Sequence, residues 1–389
     1  MQHLSQSPTD PGFVQDPYPF YARARAAGPL VHWDDYNMVC ATTHEAVNTI
    51  LRDRRFGREA PEEMRPEIPA HLAPFYAVEA HSMLELEPPR HTRLRGLVMR
   101  AFTSRRIAGL RDGIGELCHE LIDAFPDGPF DLLDAYARPL PVRVIARLLG
   151  VPEGMGPQLL QWSNAMVGMY MAGRTAEDEA AAVAATEDFV AFMRGYVEAR
   201  RSDPHDDLIT SLIAAEEDGE RLSTDELITT SILLLNAGHE ATVHSLGNAV
   251  KSILEHGMAP AGDAGALVEE CLRYDAPLHL FTRHVYETVE LFGHEFRRGD
   301  EVGLMLGSVG RDAGVTADPD RFDATRQAPV HLAFGAGLHF CVGAPLARME
   351  MAIALETLFA RCPGLALEEE PRYADIYHFH GLERLRLRR

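Results

Sequence analysis

The sequence predicts a mainly α-helical, single-domain globular protein with small accessory β-sheets. Three observations carry that expectation. Apolar and charged residues recur at helical spacing over most of the chain, as in residues 107–125 (IAGLRDGIGELCHELIDAF) and 190–201 (VAFMRGYVEARR). Strand-like pieces are short and fall in two places, Val31 to Cys40 and His284 to Leu306, the second interrupted by Gly and Asp turn signals. No repeat, low-complexity tract or Gly/Ser linker divides the 389 residues, so one unit over 1–389 is the simplest organisation.

The longest helix is expected from Ser223 to His256. Ser223-Thr224-Asp225-Glu226 fits a capping box and Gly257 is placed as a C-terminal stop. Its middle, ILLLNAGHEATVHSL, is apolar nearly all round, which belongs in a protein interior, yet it carries Asn236, His239 and Glu240. Ala237, Gly238, Ala241 and Thr242 share one face of it, and that face is unusually small.

Composition bounds the function. A hydrophobic fraction of 46% beside 24% charged residues supports a large core. The apolar runs stop far short of the roughly 20 residues a bilayer needs, so no membrane span is expected. The N-terminal MQHLSQSPTDPGF has neither a cationic start nor an apolar stretch, and a cytoplasmic location is the expectation. A formal charge of −21 repels nucleic acid over most of the surface. Cys40, Cys118, Cys271, Cys341 and Cys362 are odd in number, dispersed and without a CxxC pair, which suits reduced thiols better than a disulfide framework or a zinc site.

Cys341 stands apart. It lies in Phe334-Gly335-Ala336-Gly337-Leu338-His339-Phe340-Cys341-Val342-Gly343, ahead of a helix-like stretch with Pro345 in its first turn. Glycines let such a loop pass close to a flat ligand, and a helix N-terminus favours the thiolate, so the thiol is set up as a metal ligand or nucleophile. Most intracellular cysteines are inert core residues, and only the whole pattern argues otherwise here. Upstream, Glu270 and Arg273 lie three apart on one helix face, flanked by Leu267, Val268, Cys271 and Leu272, which predicts a partly buried ion pair.

The stretch FGxGxHxCxG resembles the haem-ligating loop of the cytochrome P450 superfamily, and the resemblance runs from DPYPFY at Asp16 to Gly381-Leu382. It implies a soluble bacterial haem-thiolate monooxygenase, with a long central helix over haem b and the Cys-ligand loop beneath it. On that resemblance Cys341 is the axial iron ligand, with Phe334, Gly335 and Gly343 forming the loop. His91, Arg95, Arg283 and His339 are the propionate donors. Ala237 and Gly238 border the haem in the oxygen-binding segment, Glu240 is the acid that feeds protons, and Thr242 is its companion. Glu270, Arg273 and, within Pro319-Asp320-Arg321-Phe322, Arg321 form the structural network beside the haem. The substrate pocket is expected around Met83 and Leu84, Met166 to Met171, Ala237, Ala241, Val243, Leu278 to Phe281, and Tyr377 to Phe379.

The family usually has threonine where this chain has Ala241, a departure that bears on proton delivery. The reaction implied is insertion of one oxygen atom from dioxygen into a hydrophobic small molecule. No flavin or iron–sulfur motif occurs, so electrons are expected from a separate ferredoxin-type donor, docking on a basic patch drawn from Arg93, Arg100, Arg105, Arg106 and Arg348. The alternatives are a peroxide-driven haem-thiolate enzyme, an oxidative coupling enzyme and, in another class, a non-enzymatic haem sensor. Glu240 weighs against the first and the last.

Overall fold

The computed structural model describes residues 1–171, 174–217, 219–258 and 263–389. Helices dominate, with the longest at Thr224–Glu255, Ala176–Ser202 and Ala344–Arg361. The described residues group into two compact units. One holds Met1–Met64, Ile114–Arg138 and Ala241–Arg389; the other holds Arg65–Gly113 and Pro139–Glu240.

In the first unit, a six-stranded sheet runs in the order Gln2–Leu4, Leu30–Trp33, Met38–Ala41, Glu301–Leu304, Phe281–Val285, Phe56–Gly57. Leu30–Trp33 and Met38–Ala41 form a hairpin whose turn ends on Asn37 in the left-handed region, a position asparagine tolerates. Residues expected as two separate strand regions therefore share one sheet, because Met38–Ala41 pairs in parallel with Glu301–Leu304. Its apolar side buries Val302, Leu304, Val285, Phe56 and Phe296 against Val47 and Ile50. A second cluster packs Phe13, Phe20, Tyr21 and Trp33 with Cys40, Leu280 and Met305.

Among the described residues the second unit is helical apart from one short hairpin, Glu216–Glu217 with Glu220–Arg221. Ala176–Ser202 is opened by a capping box in which Thr175 and Asp178 satisfy each other's backbone N–H groups. It packs on Gly156–Val167, with Trp162 stacked on Phe189 at 5.1 Å between ring centroids. The expected helix over 107–125 is two, Ser104–Ala108 and Arg111–Asp123, separated at Gly109-Leu110.

The Thr224–Glu255 helix contributes to both units. Its expected cap is present: Ser223 Oγ accepts from Glu226 N at 3.2 Å, and Glu226 Oε2 accepts from Ser223 N at 2.8 Å. Gly257 follows at φ +59°, the left-handed stop.

Candidate active site

The cysteine loop is shaped by two left-handed glycines, Gly335 at φ +67° and Gly337 at φ +68°. At Gly337 a Cβ would meet the Leu51 carbonyl at 2.3 Å, so no other residue fits. Cys341 N donates to Phe334 O at 3.0 Å, closing the loop, and Gly343 caps the Ala344–Arg361 helix with Pro345 in its first turn. Of the five cysteines, four are buried and Cys341 is half-exposed. Burial pushes the Cys40 thiol up to about 12 and the Cys118 thiol to about 11, so neither supplies a thiolate near neutral pH.

Behind the loop, Arg348 lies over the Phe334 ring at 4.4 Å and donates to Glu269 at 2.6 Å, while His331 Nε2 lies 3.1 Å from the same carboxylate. Burial alone would raise the Glu269 carboxyl, but His331 and Arg348 together outweigh it and hold it at about 2. Sequence reasoning missed Glu269 and His331, and it gave Arg348 to a docking patch. In the structure Arg348 pairs with Glu269 behind the loop while its side chain stays 38% exposed.

The Glu270–Arg273 pair is fully buried and bidentate, at 2.7 and 2.8 Å. The remaining Arg273 donors reach the carbonyls of Gly310, Pro319 and Arg321. Arg321 meets Arg273 through that carbonyl, while its own side chain, 68% exposed, lies 3.8 Å from Asp323 Oδ2. The second guanidinium on Glu270 is that of Arg326, Nε to Oε2 at 3.1 Å, with Asp323 N donating to Oε1 at 2.8 Å. Arg321 thus contributes its carbonyl, and the second cation on the buried Glu270 carboxylate is Arg326, which sequence reasoning missed.

The expected propionate donors fall in both units. Arg283, 3% exposed on strand Phe281–Val285, donates to the Thr282 carbonyl at 2.8 Å and lies 5.6 Å from the Phe281 ring centroid. His339 ends the Gly337–His339 turn in the same unit. His91, 1% exposed, and Arg95 lie on helix Arg90–Ala101 of the other unit.

On the long helix Ala237 is exposed although its neighbours are largely covered, and a Cβ on Gly238 would meet Ile145 Cδ1 at 2.5 Å. Glu240 is half-buried, with His239 Nδ1 at 3.6 Å from its carboxylate. Thr242 is 6% exposed. One turn beyond Ala241, Ser245 Oγ donates to the Ala241 carbonyl at 2.7 Å, a hydroxyl on this backbone segment that sequence reasoning missed.

The expected substrate contacts divide similarly. Leu278 and Phe379 form an antiparallel bridge, and the Phe379 ring lies 5.6 Å from that of His244. Phe281 is half-buried beneath Arg58, whose guanidinium lies 4.5 Å from its centroid. Val243 is buried at 3%. In the other unit Leu84 is half-buried, and Met83, Met166 and Met169 are core residues at 6%, 1% and 5% exposure.

A flat dianionic iron porphyrin asks for one soft ligand on a close-approaching loop, buried cations, and a helix face without bulk. Within the first unit, the half-exposed Cys341 thiol on its glycine-shaped loop and the buried Arg283 fit the first two of those demands. Comparison with known proteins agrees. The family model described as "Cytochrome P450" matches residues 264–372. The chain is 39% identical to the cytochrome P450 monooxygenase PikC of Streptomyces venezuelae, over 92% of this chain and 87% of that protein.

The chain belongs to the cytochrome P450 family.

The 6-deoxyerythronolide B hydroxylase of Saccharopolyspora erythraea is 37% identical over 91% of each chain. Among solved structures, P450BioI in complex with hexadec-9Z-enoic acid ligated acyl carrier protein superposes with a TM-score of 0.91 at 32% identity, covering 97% of this P450 and 99% of that chain. The protein is a cytochrome P450 monooxygenase of the bacterial type, binds haem b, and acts with dioxygen on a small-molecule substrate. Among the described residues no helix is long and apolar enough to cross a membrane.

Proposed function

We propose that this P450 works as one catalytic domain and inserts a single oxygen atom into an apolar molecule bearing a hydroxyl or amine near the reacting carbon. Its electrons come from a separate ferredoxin-type protein. Bound haem, ligated by the Cys341 thiolate, supplies the activation of dioxygen. Arg283 and His339, with His91 and Arg95, hold the propionates by charge-assisted hydrogen bonds. Glu240 delivers protons from the solvent side. Relatives named as a hydroxylase and as an epothilone C/D epoxidase support single-oxygen insertion as the reaction class.

The observation that carries the substrate reading is Ala241. A methyl side chain neither donates nor accepts a proton, and the Ala241 carbonyl is held by Ser245 at 2.7 Å. Thr242 is displaced by about 100° around the helix and is buried, so its hydroxyl is aimed away from the place of the missing one. A polar group on the substrate then completes the proton path.

The test is the ratio of product formed to NAD(P)H consumed with a surrogate ferredoxin and reductase. Analogues lacking the polar group are expected to consume NAD(P)H with little product, and Ala241→Thr to restore coupling with them while changing the native substrate little. If instead Thr242→Ala uncouples the native substrate and Ala241→Thr rescues no analogue, Thr242 is the relay and the substrate-assisted reading fails.

A further inference from the structure

The segments that carry Leu278 and Phe379 form a two-stranded ribbon. His279 N donates to His378 O and His380 N to Pro277 O, both at 2.9 Å, around the Leu278–Phe379 bridge. Side chains alternate across such a ribbon, so Leu278 and Phe379 share one face and His279 and His380 the other. The first face is apolar and half-buried; the second is locked into a buried polar network.

At its centre is Asp275, 4% exposed. Tyr18 OH donates to Oδ1 at 2.9 Å, Tyr373 OH donates to Oδ2, and His380 Nε2 lies 3.5 Å from Oδ1. Tyr373 stacks on His380 at 3.7 Å, and His380 stacks on His279 at 4.4 Å. His279 Nδ1 is hydrogen-bonded to Tyr21 OH at 2.9 Å, and Asn248, from the long helix, donates to the His380 carbonyl at 2.8 Å. Burial drives the His279 and His380 rings well below their ordinary pKa, so both are neutral. Outside the ring stack, Arg311 packs on Tyr18, its guanidinium 3.6 Å from the ring centroid.

Asp275, His279 and His380 place ligand atoms within 4.8 Å of one another, the spacing of a metal site. The geometry opposes that use. Imidazole lone pairs lie in the ring plane, and two stacked rings only 26° apart cannot aim theirs at one ion. What the network does fix is the place of the ribbon. The bonds through Tyr18 and Tyr373 tie its polar face to helix Tyr18–Ala27 and strand Arg372–Tyr373, and Asn248 ties it to the long helix.

We propose that Asp275 is a positioning residue that sets substrate selectivity by fixing the apolar wall formed by Leu278 and Phe379. The inference rests on the reading of those two side chains as substrate contacts. Buried carboxylates with several donors are costly to disturb, so a wall hung on one is held in a single place.

The experiment uses holoenzyme and two probes, imidazole and 4-phenylimidazole. Both offer the same ring nitrogen to the iron, and only the second presses a phenyl group on the wall. Soret titrations give the ratio of their affinities. Asp275→Asn and Tyr373→Phe are each expected to cut that ratio about tenfold, the scale of one lost buried hydrogen bond. Leu117→Ala, a core change on helix Arg111–Asp123, should lower the melting temperature and leave the ratio unchanged. A melting loss with an unchanged ratio in the two network variants would make the network a core brace only and overturn the proposal. Equal binding of both probes by the parent enzyme would overturn it too, because the wall would not face the ligand. Failure of imidazole itself to bind the parent marks a different fault, in the haem-site reading, and removes this inference with it. Should Asp275→Asn not fold, Tyr373→Phe alone decides.

Discussion

Glu350 is 2% exposed on the helix that follows the cysteine loop, and its Oε1 has no hydrogen-bond partner. Burial pushes its carboxyl up from 4.5 to about 8. Below pH 4.5 the group is protonated whether the chain is folded or not, and it costs nothing. As pH rises from 4.5 to 8 the unfolded chain releases a proton that the folded one keeps, so stability falls, and the fall levels off above 8. The integrated effect is on the order of a few kcal/mol. Glu350→Gln is expected to flatten the pH dependence of the melting temperature over this interval while retaining the haem spectrum. An unchanged pH slope would mean that another group controls it. Nothing in the sequence singles this residue out, since a lone glutamate on an amphipathic helix reads as surface until its neighbours are known.

At the scale of elements, the buried carboxylate Glu270 separates the two candidate arginines. Arg326→Leu removes a charged partner within 3.1 Å and is expected to destabilise by about 1.5–3 kcal/mol. Arg321→Ala alters a side chain in solvent and should stay within about 0.5 kcal/mol. Denaturant titration of the pair checks this, and the reverse order would give the Arg321 side chain the larger share in the network. Gly337→Ala should be far worse than either, because it combines a φ of +68° with a 2.3 Å clash against backbone. Loss of the holoprotein spectrum in Gly337→Ala, against its retention in Arg321→Ala, would show it. The cysteine loop, the capped long helix and the Glu270–Arg273 pair were legible in the sequence because each is written locally, in glycines, caps and i,i+3 spacing. The parallel pairing of Met38–Ala41 with Glu301–Leu304 was not. It depends on a contact across more than half the chain that leaves no local mark. The choice between Arg321 and Arg326 was hidden for a related reason: both lie in one loop, and only burial tells them apart.

Over the whole molecule the balance of charge is −21, so attraction of an acidic electron donor has to come from a local basic surface. Of the arginines expected in it, Arg93 pairs with Glu220 and Glu226, Arg106 with Asp206 and Arg348 with Glu269. Arg100 and Arg105 are exposed on neighbouring helices of the second unit. If this surface steers the donor, the reduction rate should fall roughly tenfold as ionic strength rises from about 0.01 M to about 1 M, where the screening length shrinks from about 30 Å to about 3 Å. Arg105→Glu should flatten that dependence. A rate indifferent to salt in the parent enzyme would remove the basic-patch account and leave the fold and haem site untouched.

The expectations for reduction and oxygen insertion hang on a thiolate from Cys341 reaching the haem iron. The ultraviolet-visible spectrum of the dithionite-reduced, carbon-monoxide-treated protein tests that directly, in the parent and in Cys341→Ser. A serine hydroxyl stays protonated near neutral pH and is a poor iron donor. The parent is expected to show the red-shifted Soret band of thiolate ligation, and Cys341→Ser to lose it together with monooxygenation. Retention of that band in Cys341→Ser, or its absence from the haem-loaded parent, would contradict the account.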